Sequence, residues 1–178
     1  MRTRSAFRPI YVRQHTPMPA LFARIGSSLI ASWCAAWGAS LIGSWILLEI
    51  AAALLMSFGV VVQDLKSPAT QTGVLSIVGA LLVAPVVETY LLGMFLRSLR
   101  GTLSDMRLSI LSALGWGALH ALIAPFWFFG VAWSFFVFSW FYLLWLPRSQ
   151  AKAFSAAAVP HFLLNASALV LGGTDSAA

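Results

Sequence analysis

The sequence predicts an all-α fold, a polytopic transmembrane helical bundle of about five spans with its N-terminus in the cytoplasm. Three observations predict it. Apolar residues make up 60% of the 178 and charged residues only 9%, with a mean hydropathy of +0.88, whereas a soluble domain carries roughly 25% charged residues. Four long stretches hold almost no ionisable group, and the basic residues cluster between them. This composition excludes a cytosolic enzyme, a secreted disulfide scaffold and a disordered tail. The formal charge of +6 does not point to nucleic acid, because it sits at prospective membrane boundaries; the partner it indicates is the lipid bilayer. A single cysteine, Cys34, forms no internal disulfide.

The elements follow in order. Residues 1–24 carry Arg2, Arg4, Arg8, Arg13 and Arg24, three prolines and no apolar period, and are expected to form a basic, lipid-facing cytoplasmic arm. This arm is long for the charged region of a signal peptide, and the apolar stretch behind it is longer than a signal core. Residues 25–178 form one transmembrane domain, with no repeat or linker dividing it. Its first stretch, 25–63, holds one charge, Glu49, and is long enough for one span with a flank or for two short spans. Stretch 67–96 holds only Glu88, and 153–174 only His161; each fits one span of about 20 residues. Stretch 108–147 holds only His120 and is interrupted by Pro125, so two spans joined by a tight turn are expected.

The positive-inside rule selects between the two readings of the first stretch. With one span there, the arm, the loop carrying Arg97, Arg100 and Arg107, and the loop carrying Arg148 and Lys152 all face the cytoplasm. Ten of the eleven basic residues then lie inside, leaving only Lys66 outside. Two spans would place the later basic loops opposite the arm.

Ionisable groups are costly inside a bilayer and usually face the bundle interior. Glu88 lies nine residues before Arg97, and His161 nine after Lys152. Both distances correspond to roughly 13 Å of helix from the cytoplasmic edge. His120, thirteen residues past Arg107, lies roughly 20 Å in, or less with tilt. Three helices thus bring one polar group each to a similar depth. Asn165 shares a helix face with His161, and Trp116 with His120, each pair being spaced i, i+4. Pro85 and Pro160 can kink their helices beside the site.

A carboxylate, two imidazoles and an amide suit hydrolysis, by accepting a proton from water and donating to an oxyanion. Glu88, His120 and His161 also match a catalytic-zinc ligand set. Other readings remain open for the same residues: hydrogen bonds that hold helices together, or a proton relay in a carrier. Glu49 is expected near the outer interface. The aromatic crowd at 126–145 is expected to form lipid-facing and packing surface.

The runs Ala84-Pro85-Val86-Val87-Glu88-Thr89, Trp116-x-x-x-His120 and His161-x-x-x-Asn165 resemble the three motifs of the CPBP family. These are the CAAX-protease and bacteriocin-processing membrane proteins, also called Abi, which are glutamic-type intramembrane endopeptidases. The resemblance covers about residues 81–169. It implies that Glu88 is the general base for water with His120 as its partner, and that His161 and Asn165 stabilise the oxyanion. Thr89 and Trp116 become supporting residues. No cofactor is implied, although a zinc ion remains compatible with the ligand set. The implied substrate is a membrane-anchored or lipidated protein or peptide, and the implied location a bacterial-type cytoplasmic membrane. Three positions depart from the pattern. Thr89 stands for a second Glu, Gly93 for an Arg, and Trp116 for a Phe. Arg97, one turn beyond Gly93, is the candidate replacement for the missing Arg. A catalytically silent relative, acting as a membrane immunity, scaffold or binding protein, is the alternative these departures suggest.

Overall fold

Peptide groups in lipid have no water to bond, so long apolar runs close their hydrogen bonds within helices. The computed structural model describes residues 26–62 and 73–172, and among them the regular structure is entirely helical. The basic arm, the loop carrying Lys66 and the end of the chain lie outside the described residues.

Five long helices follow one another: α1 (Leu29–Ser57), α2 (Val74–Leu99), α3 (Asp105–Ala121), α4 (Trp127–Trp145) and α5 (Gln150–Gly172). The first stretch is therefore one helix of 29 residues, and the break at Pro125 separates α3 from α4. All but α3 are long and apolar enough to cross a membrane; α3, with 17 residues, stands at the lower bound of spanning length. The chain is an integral membrane protein built as a helical bundle.

Ser28 caps α1 by accepting from the Ala31 amide, and Ser104 caps α3 by accepting from the Arg107 amide. Between α2 and α3 the chain turns at Gly101, whose φ of +108° suits a residue without a side chain. Short connections make consecutive helices antiparallel, so the α2–α3 and α4–α5 turns lie at one end of the bundle. Arg97, Arg100, Arg107, Arg148 and Lys152 gather there. The start of α1 lies at the same end, where the Trp145 indole Nε1 donates to Ser32 Oγ at 2.9 Å.

Helix α4 is the hub and packs against all four others. Its aromatic residues were expected to face lipid in part, yet Phe135, Phe138, Phe141, Tyr142 and Trp145 are buried. The reason lies in what separates the helices. Small residues on α1, α3 and α5 (Ala36, Ser40, Ser109, Ala113, Ala153, Ala157) leave room that large rings fill. Glu49 is exposed on the bundle surface.

Polar rungs join the helices. Ser44 Oγ donates to the Gly130 carbonyl of α4 at 2.8 Å and lies 2.8 Å from Ser134 Oγ. Ser139 donates to Ser112 across α4 and α3, and the Trp37 indole to Ser167 across α1 and α5. Serines suit this role because they allow close approach and offer a partner inside lipid. Ser44→Ala removes two contacts at once and is expected to lower stability in bicelles by about 1 kcal/mol. The check is the midpoint of a denaturant titration; an unmoved midpoint would mean that this rung does not hold α1 to α4.

Candidate functional site

Helix α2 buries one stripe, formed by Pro85, Thr89, Leu92, Gly93 and Leu96. Glu88, three residues after Pro85 and four before Leu92, shares that face. On α3 the buried stripe of Ser109, Ala113 and Gly117 leads by helical spacing to Trp116 and His120. On α5 Ala153, Ala157 and Pro160 lead to His161. The α3 and α5 stripes pack on the hub helix, and α2 packs chiefly on α5 and α3, so the three ionisable groups converge.

The Glu88 carboxylate lies between the two imidazoles. Its Oε1 is 3.9 Å from His120 Nε2 and its Oε2 is 3.9 Å from His161 Nε2. These separations exceed a direct hydrogen bond, and one water can bridge each gap. The side chains of Glu88 and His120 are each 21% exposed, against 7% for His161. The pair at α2 and α3 is thus reachable from outside, while His161 forms the back wall. His120 Nδ1 lies 2.9 Å from the Trp116 carbonyl. A carbonyl only accepts, so Nδ1 carries the proton, and Nε2 is the atom presented to Glu88.

Aromatic rings frame this constellation. Phe138 stacks on His161 with centroids 5.0 Å apart, and Phe135 meets the same ring edge-on at 5.5 Å. Trp116 stacks on Phe135 at 4.7 Å and leans towards His120. Trp116 therefore lines the constellation beside His120. Phe135 and Phe138 were missed from sequence because a helix with aromatic residues on every side gives no face to single out. Their only signal was the spacing i, i+3. Two open surface grooves, of about 290 and 340 Å³, are lined by other residues altogether.

The remaining predicted positions behave differently. Thr89 is buried beside Glu88. Asn165, which the resemblance assigns to the oxyanion, donates its Nδ2–H to the Ala80 carbonyl at 2.8 Å. Arg97, the candidate partner of Glu88, instead donates to the Tyr142 hydroxyl at 3.2 Å. Glycine at 93 explains that pairing. A Cβ placed there would stand 2.5 Å from Tyr142 Oη, so the tyrosine occupies the space a side chain at 93 would need. Among the described residues, the ion-pair partners of Glu88 are the two histidines alone.

Zinc ligands at about 2.0–2.1 Å in a tetrahedron stand roughly 3.4 Å apart, closer than the separations here. Among the described residues no three His, Cys, Asp or Glu side chains are grouped to hold a metal ion.

No protein-family model, curated protein or solved structure matches the chain. The class that fold and site define is a helical integral membrane protein with a partly buried carboxylate set between two imidazoles.

The close approach at Gly93 is directly testable. Gly93→Ala is expected to destabilise the fold by about 1–3 kcal/mol, the range for overpacking, seen as a lower Tm in detergent. Adding Tyr142→Phe removes the nearest atom and is expected to recover part of that loss. A Gly93→Ala protein as stable as the parent would contradict the contact.

Proposed function

We propose that this protein is an intramembrane endopeptidase that cleaves a membrane-anchored or lipidated protein or peptide near the cytoplasmic face of a bacterial-type membrane. The observation that carries the reading is the convergence of Glu88 with His120 and His161, one carboxylate oxygen towards each ring. The motif resemblance supplies the reaction class. The proposed orientation has five spans with the N-terminus in the cytoplasm, which puts the basic end of the bundle there.

In this reading a water molecule sits between Glu88 and His120. The carboxylate takes its proton as the oxygen attacks the scissile carbonyl carbon. His120 is held by its Nδ1–H to the Trp116 carbonyl, so its Nε2 is aimed at the same water and helps carry the proton to the departing amine. His161, with Nε2 protonated, donates to the tetrahedral oxyanion. Phe135 and Phe138 keep that imidazole upright and exclude water, which strengthens each polar interaction in the site. The amine leaves with the proton that water lost, and the carboxyl product keeps the hydroxyl.

Glu88→Gln keeps the shape and removes the base. It is expected to lower cleavage of a physiological substrate by about 10²-fold or more, and His120→Ala by a similar factor. Cleavage that persists unchanged in a folded Glu88→Gln protein would falsify the protease reading. Dialysis against a chelator is expected to leave the rate unchanged; a loss restored by added zinc would replace the glutamic mechanism with a metal-dependent one.

A second reading rests on Gly93 and Arg97. With Tyr142 filling the space at 93 and engaging Arg97, the carboxylate has no basic residue other than histidine beside it among the described residues. That arrangement favours a silent membrane immunity, scaffold or binding protein. Full biological activity in a Glu88→Ala and His161→Ala double variant would select this reading.

A further inference from the structure

Helix α2 is not a uniform α-helix. Residues Gly79–Val83 form a π-turn, and at its end the Ala84 amide donates five residues back, to the Gly79 carbonyl. In this register the next amide, that of residue 85, would serve the Ala80 carbonyl. Residue 85 is proline and has no N–H. The backbone of α2 therefore leaves Ala80 O without its donor, in a segment where lipid supplies none. The donor comes from α5, as Asn165 Nδ2–H at 2.8 Å.

We propose that Asn165 is a positioning residue, a latch that completes the π-turn of α2 and so fixes Glu88 against the two histidines. Two polar rungs then join α2 to α5: Ala80 to Asn165, and Glu88 to His161. His161 and Asn165 are one helical turn apart on α5, and the two partners on α2 are eight residues apart. One rung clamps backbone, and the other orients a side chain. The segment ahead of Glu88 needs that clamp, since the residues of Val74–Val78 and of the π-turn include none that are buried. Beyond its own helix, the π-turn packs on α5 alone among the described elements.

This inference rests on the protease reading and gives Asn165 a role other than oxyanion donor. The two roles separate by rescue. Asn165→Ala leaves Ala80 O without a donor and is expected to reduce kcat about tenfold or more, with KM changed less than about twofold. Pro85→Ala restores an amide N–H at the position that lacks one. If Asn165 is a latch, adding Pro85→Ala to Asn165→Ala restores kcat to within about threefold of Pro85→Ala alone. If Asn165 acts on the reacting atoms, the proline change rescues nothing and the proposal is overturned. Hydrogen exchange of peptides covering 80–92 supplies a readout independent of cleavage. Asn165→Ala is expected to speed exchange there, and the double variant to slow it again. Unchanged exchange in Asn165→Ala would also overturn the latch. Failure of the protease reading looks different, because Glu88→Gln would then leave activity intact while the exchange pattern still reported the latch.

Discussion

A peptide group inside a bilayer that lacks a partner has no water to turn to. That constraint shapes every level of this protein. It makes the apolar stretches helical, and it makes serine the residue of contact where α1, α3 and α4 meet. It also explains why an irregular turn in α2 lies opposite an asparagine. Among the described residues, the place where a proline and a π-turn together leave a carbonyl open is the place where a side-chain amide from another helix arrives. The irregularity is tolerated because the bundle supplies the missing donor.

The same constraint governs the ionisable groups. A lone carboxylate inside a bilayer is costly, and Glu88 lies 3.9 Å from an imidazole on each of two other helices. The central aromatic helix contributes without any ionisable group of its own. Its Phe135 and Phe138 pack against the His161 ring, while its Tyr142 accepts from the Arg97 guanidinium. The buried face of α4 thus touches both the histidine side of the site and the basic end of the bundle.

Much of this was legible from sequence. One polar residue per apolar stretch, each at a similar distance from a basic end, was enough to bring Glu88, His120 and His161 together. Pro125 marked the turn between α3 and α4, and the clustering of arginine separated one span from two in the first stretch. Three features were not legible. The central place of α4 was hidden because aromatic residues occupy all its faces, and burial is then set by the small residues of its neighbours. The π-turn was hidden because Gly79–Val83 reads as ordinary apolar helix. The pairing of Arg97 with Tyr142 joins residues 45 apart in the chain, and no local pattern records it.

The contact between Gly93 and Tyr142 has a consequence for descent. A bulky residue at 93 and a tyrosine at 142 compete for one volume, so position 93 cannot enlarge until 142 changes. Lineages that diverged from a common ancestor should exchange the two as a unit: a long basic side chain at 93 with a small residue at 142, or glycine with tyrosine. The two positions are then a single heritable character, split between two helices.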